Sequence, residues 1–290
     1  MSDSIFVAAD GRFTPTEHAR GPWDAGALHG GAPAALLTSA FERLQPGAEL
    51  RIARLGFEFL RPIPLAPLKL SLRIVRPGRR VQELAGELSV LTDAPNGEQV
   101  VCRASALRVR EIPPGVPASD PMQTPHGEGP GTGVGTGVGT GVGVGMGTPQ
   151  TSTPLRFALN GSTAASFATS AMEMRSRGEG GRDAHTLGPG QVWMRPRVAL
   201  LAGEELTPLA RLAATSDFGN GISAALPFEQ FLFINADLTI HVHRPPRGEW
   251  IGLDARTLVR PGGMGLAESV LHDLDGPVGR AFQTLVVEPR

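Results

Sequence analysis

A glycine repeat in the middle of the chain sets the strongest limit on its fold. From Gly127 to Gly147 every odd-numbered residue is glycine, and five prolines lie between residues 112 and 125. A segment of this composition buries too little side-chain surface to offset the backbone entropy lost on ordering. We therefore predict a flexible linker over residues 113–150, with one folded domain on each side, residues 1–112 and residues 151–290.

Short motifs recur in the same order on both sides of this repeat. Val75-Arg76-Pro77-Gly78 returns as Val259-Arg260-Pro261-Gly262, Arg61-Pro62 as Arg244-Pro245, and Thr38-Ser39-Ala40-Phe41 as Thr215-Ser216-Asp217-Phe218. The offsets are 184, 183 and 177 residues. A single short match arises by chance, but three ordered matches at nearly one offset indicate an internal duplication.

Each copy reads as one helix followed by strands. The Ala- and Leu-rich run Gly30–Leu44 predicts the first helix, and Leu206–Phe218 predicts the second, with Pro208 in its first turn and Gly219 and Gly221 beyond it. Alternating apolar residues predict four strands after each helix. The predicted strands are 53–59, 68–76, 81–92 and 98–110 in the first copy, and 236–242, 250–260, 265–273 and 278–287 in the second.

Composition excludes several classes of function. The net charge of −1 gives no electrostatic footprint for nucleic acid. The single cysteine, Cys102, lies in a strand-like run and allows neither an internal disulfide nor a cysteine metal cluster, so we expect a buried, inert thiol. The sequence has no signal peptide and no apolar run long enough to span a membrane, so we expect a cytoplasmic protein.

Several motifs resemble those of the acyl-CoA thioesterase II family. These are Gly21-Pro22-Trp23-Asp24, Leu28-His29-Gly30-Gly31-Ala32-Pro33-Ala34-Ala35-Leu36, Leu60-Arg61-Pro62, Asp237–Pro245 and Gly265-Leu266-Ala267-Glu268-Ser269. The resemblance implies an α+β fold of two fused hotdog domains, each an antiparallel sheet wrapped around one long helix. It also implies hydrolysis of acyl-CoA thioesters, without a cofactor.

The resemblance places the reacting residues in the second copy. The family uses an aspartate at the end of the hotdog helix, a hydroxyl residue entering the next strand and a glutamine in the last strand, which together activate a water. Asp217 falls on the aspartate, Gln283 on the glutamine and Asn235 on the hydroxyl position. Asn235 departs from the family pattern, because an amide binds a water but is no nucleophile.

The internal comparison points to one site. The offsets place Ala40 opposite Asp217, Ile52 opposite Asn235, and a small residue near Ala106 opposite Gln283. One copy is apolar where the other is polar, which predicts a single site carried by the second half. Strict alternation would put Asn235 on the polar strand face with Asp237, so a bulge is needed to bring it to Asp217.

The start of the first helix supplies candidate substrate-binding groups. The exposed N–H groups of Gly30 and Gly31 would hold a thioester carbonyl or a phosphate, although close helix packing explains the glycines equally well. His29 is a candidate base or a helix cap. Arg76, Arg244 and Arg260 are candidate partners of CoA phosphates, and the sequence does not choose among them.

Two other functions stay open from the sequence. One is a non-catalytic module for acyl binding or dimerisation, which the asparagine at position 235 favours. The other is hydration of an enoyl thioester, which requires an aspartate–histidine pair near the helix start, where the sequence offers only His29. His241 and His243 share a strand face with Asp237, but we predict a polar face there and no metal site. Homo-oligomers of fused pairs are compatible with the sequence.

Overall fold

A computed structural model describes residues 3–44, 49–92, 97–112, 145–155, 164–177 and 186–290. Residues 113–144 of the predicted linker lie outside these ranges. The last six residues of that prediction are described, and they pack: Met146 is buried against Trp193 and Trp250, and its carbonyl accepts a hydrogen bond from Trp193 Nε1 (3.3 Å). The packed second part therefore begins before residue 151.

The described residues form fifteen strands. Those before the predicted linker are β1 (Ser4–Ala9), β2 (Arg12–Pro15), β3 (Leu50–Phe59), β4 (Leu68–Arg76), β5 (Val81–Leu91) and β6 (Glu98–Arg110). Those after it are β7 (Thr153–Pro154), β8 (Met172–Ser176), β9 (Gly190–Pro196), β10 (Ala199–Leu201), β11 (Phe231–Asn235), β12 (Asp237–Val242), β13 (Ile251–Val259), β14 (Met264–Asp273) and β15 (Gly276–Pro289). All eight predicted strands are present, whereas β1, β2 and β7–β11 were not predicted.

All fifteen strands belong to one sheet, in the order β10-β1-β2-β4-β5-β6-β3-β12-β15-β14-β13-β9-β8-β7, with β11 also on β15. The two copies meet where β3 pairs antiparallel with β12, Leu55 opposite Ile240. The short β1–β10 pair is parallel and the other pairs are antiparallel. The α+β class is confirmed, with one large, continuous sheet and few helices.

Helix α1 (Gly31–Arg43) matches its prediction to within one residue at each end. Its small residues Ala32, Ala34 and Ala35 are fully buried, as expected of a helix covered on most sides by a sheet. A Cβ on Gly31 would overlap the carbonyl oxygen of Ala214 and approach Phe167 Cε1 to 2.8 Å. Gly31 therefore allows the start of α1 to lie against the second helix.

Helix α2 (Pro208–Ser216) is shorter than the predicted 206–218. Thr207 is its N-cap, with the hydroxyl accepting from the N–H of Ala210, and Pro208 occupies the first turn, where its missing N–H costs nothing. Asp217 is the C-cap residue, and a short turn of helix, α3 (Gly219–Ile222), follows. The break after α2 leaves Asp217 at the end of the helix.

Each copy has a one-residue β-bulge at the same place. In β3, Ile52 is opposite Arg108 but Arg54 is opposite Leu107, so the register shifts at Ala53. On β15, Asn235 is opposite Leu285 but Thr239 is opposite Phe282, so the register shifts by one around Ala236. Residues 53 and 236 are 183 apart, the duplication offset.

Candidate active site

The carboxylate of Asp217 lies at the centre of a buried polar cluster, with 4% of its side chain exposed. Its Oδ1 accepts hydrogen bonds from Asn235 Nδ2 (2.9 Å) and Gln283 Nε2 (3.1 Å). Its Oδ2 is 2.9 Å from His29 Nδ1. The structure thus brings together the three residues predicted to be catalytic and adds His29 from the other half of the chain.

Gln283 points from β15 into the interior, where it is 1% exposed. Its Oε1 accepts from the backbone N–H of Asn220 (3.0 Å), so its Nε2 must face Asp217. That Nε2 reaches both the carbonyl and the carboxylate of Asp217, each at 3.1 Å. A buried amide saturated in this way holds the carboxylate in one orientation.

Asn235 reaches Asp217 because of the bulge around Ala236. Simple alternation would have turned this side chain to the opposite face of the sheet, but β11 ends at Asn235 and β12 begins at Asp237 in a shifted register. The requirement for a bulge is therefore met.

His29 makes two contacts with the same ring nitrogen. The N–H of Gly31 donates to Nδ1 (3.0 Å), and Asp217 Oδ2 lies 2.9 Å from it. Nδ1 cannot accept from Gly31 and donate to Asp217 at once, so one proton is shared: either it is on the ring and faces a carboxylate, or it is on Asp217 and faces a bare nitrogen. The other ring nitrogen, Nε2, has no hydrogen-bond partner among the described residues.

Aromatic rings enclose His29. The imidazole centroid is 4.3 Å from the Phe218 ring and 5.0 Å from the Phe167 ring, and these two rings stack on each other at 5.8 Å. His29 is 9% exposed. The pair with Asp217 therefore sits in a largely dry setting, where charge–dipole interactions are stronger than in water.

The backbone of Gly30 lies so close to the Asp217 carboxylate that a side chain at this position would collide with it. A Cβ at this position would be 2.8 Å from Asp217 Oδ2 and 2.9 Å from Phe59 Cζ. Gly30 is also the N-cap residue of α1, at the positive end of the helix dipole. Of the two glycine N–H groups predicted to bind substrate, that of Gly31 is taken by His29, and that of Gly30 is unused in the hydrogen bonds of the described residues.

A cavity of about 500 Å³ opens onto this cluster. Its walls are mostly apolar and aromatic, with Trp23, Phe59, Phe218 and Phe233 among them. His29, Gly30, Asp217, Asn220 and Asn235 supply the polar wall. An apolar cavity with a few convergent polar groups is the usual form of a small-molecule site.

The cluster is built by both halves of the chain, with the predicted catalytic residues in the second half and the predicted substrate-binding residues His29 and Gly30 in the first. Helix α1 supplies His29 and Gly30 at its start, and the second half supplies Asp217, Asn235 and Gln283. No local pattern in the sequence shows this, because residues 29 and 217 meet only when the two helices pack.

Asn220 is a site residue that the sequence analysis missed. It is 4% exposed, its N–H fixes Gln283, and its Nδ2 is 3.5 Å from Asn235 Oδ1. Its Oδ1 is buried with no hydrogen-bond partner among the described residues, and Asn220 lines the cavity. In the sequence Gly219-Asn220-Gly221 only signals the end of a helix.

Other sequence candidates lie elsewhere. Burial raises the pKa of the Cys102 thiol to about 12, which makes it inert at neutral pH, as predicted. Arg244 is bound to Asp273 through two 2.6 Å hydrogen bonds and does not line the cavity, nor do Arg76 and Arg260. His241 and His243 are exposed on their strand, and no group of three His, Cys, Asp or Glu side chains in the described ranges is placed to hold a metal ion.

A second cavity, of about 380 Å³, occupies the equivalent place in the duplication. Three of its lining residues are equivalent to lining residues of the first cavity: Ile52 to Asn235, Leu50 to Phe233 and Val242 to Phe59. Pro208 lines it at the position equivalent to Gly31. The reacting groups are absent from this described lining, as the apolar residues of the first copy predicted.

None of the helices in the described ranges combines the length and hydropathy needed to cross a bilayer.

Two family descriptions match the chain, one on each side of the predicted linker. Residues 19–109 match the N-terminal domain of acyl-CoA thioesterase, and residues 149–287 match its C-terminal domain. Among curated proteins, none is similar enough in sequence to count as a match.

Solved structures share the fold over nearly the whole chain. An acyl-CoA thioesterase II (TesB2) from Mycobacterium marinum is 17% identical with a TM-score of 0.59, covering 91% of each chain. A tesB protein from Mycobacterium avium subsp. paratuberculosis is 14% identical with a TM-score of 0.60, covering 97% of this chain and 95% of that one. A hot dog fold protein of unknown function from Alicyclobacillus acidocaldarius is 17% identical with a TM-score of 0.64, covering 99% and 97%.

At these identities the structures show the fold, and the two family matches together span most of the sequence. The chain belongs to the acyl-CoA thioesterase family.

Proposed function

We propose that this protein hydrolyses acyl-CoA thioesters with a water activated by Asp217. The observation that carries the proposal is the convergence of His29, Asn235 and Gln283 on one buried carboxylate at the polar wall of an apolar cavity. Family membership supports thioester hydrolysis at a general level. The roles of these residues and the acyl-CoA substrate are our inference.

The proposed step begins with the thioester carbonyl beside Gly30. Water attacks the carbonyl carbon while Asp217 takes its proton, which requires the carboxylate form. The shared proton then lies on His29 Nδ1, and the N–H of Gly31 no longer has that nitrogen as its acceptor. Asn220 Oδ1, which has no hydrogen-bond partner in the described ranges, would accept the second hydrogen of this water. Asn235 and Gln283 keep the carboxylate aimed at the water.

The developing oxyanion needs donors that are in place beforehand. Gly30 N–H, at the N-terminus of α1, and His29 Nε2–H are the groups with free donor capacity beside Asp217. Collapse of the tetrahedral intermediate breaks the C–S bond, the proton held by Asp217 passes to the leaving thiolate, and the products are a carboxylic acid and free thiol, with Asp217 again ionised. No covalent enzyme intermediate is needed, which suits an asparagine at position 235.

One observation favours a second candidate. Hydration of enoyl thioesters requires an aspartate–histidine pair near the helix start, and folding places Asp217 2.9 Å from His29 there. A panel of saturated acyl-CoAs of rising chain length and a trans-2-enoyl-CoA separates the two candidates. Thiol release indicates hydrolysis, and loss of the conjugated double bond without thiol release indicates hydration.

The test of hydrolysis is Asp217→Asn. Losing the general base should lower kcat by roughly 10²-fold or more, while a non-hydrolysable acyl-CoA thioether should bind within a few-fold of wild type. Gln283→Ala should also lower kcat, and the double variant should fall well short of additivity because both groups act on one water. Ala40→Ser, at the equivalent position of the first copy, is the matched control and should keep the wild-type rate.

An Asp217→Asn variant with the kcat of wild type would contradict the proposal. Tight acyl-CoA binding without thiol release by the wild type would instead support the non-catalytic binding module.

A further inference from the structure

Arg61 is an exposed arginine at the mouth of the candidate active site. It lines the same cavity as His29, Gly30 and Asp217. It forms no hydrogen bond or ion pair with any described residue. Asp24 also lines the cavity, but no ion pair or hydrogen bond joins it to Arg61; its Oδ1 accepts from the N–H of Gly26 (2.8 Å).

The duplication supplies a comparison within the same molecule. Arg61 and Arg244 are the arginines of the repeated Arg-Pro motif. Arg244 donates to both carboxylate oxygens of Asp273 (2.6 Å each) and to the carbonyl oxygens of Pro277 (3.1 Å) and Gly276 (3.0 Å). One copy of the motif therefore uses its guanidinium to hold a turn, whereas the guanidinium of the copy beside the cavity has no polar partner among the described residues.

The position of Arg61 fits the charged end of a thioester substrate. The Phe59 ring borders the site of the Asp217 carboxylate. Arg61 is two residues further along the chain, so its Cα lies at most about 7 Å from that of Phe59. Because Arg61 is exposed, it lies on the solvent side of Phe59. The reacting carbonyl must lie at Asp217, and a simple acyl chain carries no charge. The carrier arm is the part of the substrate that reaches solvent, and it bears phosphate.

We propose that Arg61 binds a phosphate of the carrier arm, either of CoA or of a phosphopantetheine group. A guanidinium forms paired, charge-assisted hydrogen bonds with phosphate oxygens, and among the described cavity-lining residues Arg61 has the one permanent positive charge. This inference rests on the proposed thioester hydrolysis, and it replaces Arg76, Arg244 and Arg260 as phosphate partners.

The test compares one acyl group on three carriers: CoA, phosphopantetheine and N-acetylcysteamine, which has no phosphate. In Arg61→Ala, the ratio of kcat/KM for the CoA thioester to that for the N-acetylcysteamine thioester should fall about three- to tenfold, the scale of one partly exposed ionic contact. Arg61→Lys should recover part of the loss. Arg76→Ala removes an exposed arginine outside the cavity and should keep the wild-type ratio.

The phosphopantetheine thioester identifies the phosphate. An equal loss with CoA and phosphopantetheine places Arg61 on the phosphate nearest the thiol, and a loss with CoA alone places it on a nucleotide phosphate. Added salt should weaken the discrimination in wild type and have little effect in Arg61→Ala. An unchanged ratio in Arg61→Ala overturns the proposal.

Binding separates this inference from the proposed reaction. The Kd of a non-hydrolysable acyl-CoA thioether is measured for wild type and Arg61→Ala by calorimetry. If the wild type releases no thiol but Arg61→Ala weakens binding, the reaction is wrong and the phosphate contact stands. If hydrolysis occurs and binding is unaffected by Arg61→Ala, the phosphate contact is wrong and the reaction stands.

Discussion

Two adjacent glycines at the start of α1 have different structural reasons to lack a side chain. Gly31 meets backbone, the carbonyl oxygen of Ala214, which cannot move without shifting α2. Gly30 meets the ends of two side chains, Asp217 and Phe59. The sequence left helix packing and ligand binding as equal explanations for the pair, and the structure assigns packing to Gly31 and proximity to the carboxylate to Gly30.

We expect the two alanine variants to differ in what they damage. Gly31→Ala should lower the free energy of unfolding by roughly 1–3 kcal/mol, because overpacking against backbone forces the helices apart. Gly30→Ala should keep more of the stability but lower kcat by roughly 10- to 100-fold, because a displacement of Asp217 by about 1 Å misplaces the water. Thermal unfolding and thiol release measured on both variants check this. The distinction would be contradicted if both variants lost the same stability and Gly30→Ala kept the wild-type kcat.

At the scale of elements, the second copy holds its last hairpin with a buried ion pair. Asp273 ends β14, and its carboxylate accepts from Arg244 and from the backbone N–H groups of Arg247 and Asp275 (2.9 Å each). Burial by itself would raise the pKa of Asp273, but these four donors outweigh it and hold the pKa below its ordinary value of 3.8. These hydrogen bonds of Asp273 hold the turn between β14 and β15, and β15 carries Gln283.

Asp273→Asn should lower the free energy of unfolding by about 3 kcal/mol at neutral pH, because it leaves Arg244 without its counter-charge. A carboxylate with a lowered pKa in the folded state stabilises fully above the unfolded value and loses that contribution as pH falls through the folded value. The difference between wild type and Asp273→Asn should therefore be constant above about pH 5 and shrink below pH 3.8. Urea unfolding at several pH values measures it. An unchanging difference down to pH 2 would mean that the charge of Asp273 is not responsible.

At the scale of the molecule, the duplication has produced two cavities, and the polar cluster around Asp217 lines the first of them and not the second. The second cavity keeps the place of the first, but Ala40, Ile52 and Ala106 stand where the first has Asp217, Asn235 and Gln283. The start of α2 differs as well: Pro208, equivalent to Gly31, has no N–H, and Leu206 is equivalent to His29. The two cavities therefore differ in the residues at the helix start and in those at the helix end.

One non-hydrolysable acyl-CoA thioether should bind per chain, in the cavity of Asp217. Gly30→Leu fills that cavity and should abolish binding, whereas Ile52→Trp fills the second cavity and should leave stoichiometry and Kd unchanged. Titration calorimetry measures both quantities. A stoichiometry of two, or a loss of binding in Ile52→Trp, would show that the second cavity also takes substrate.

The sequence by itself determined the repeated helix-and-strand pattern and the polar residues of one copy. Helix α1 and the eight strands after the two helices were predicted because their periodicity is local, and Asp217, Asn235 and Gln283 stood out because each is polar where the other copy is apolar. Strands β1, β2 and β7–β11 were missed because short strands owe their pairing to neighbours distant in sequence.

Only the tertiary structure decided how these residues act together. The packing of α1 on α2 brings His29 within 2.9 Å of Asp217, 188 residues away in sequence, and so joins a predicted substrate-binding residue of the first half to the predicted catalytic residues of the second. The bulge around Ala236 turns Asn235 to the carboxylate. Arg61 lines the cavity without a polar partner among the described residues, while Arg244 is bound to Asp273. Each of these depends on which surfaces meet, which local sequence patterns do not encode.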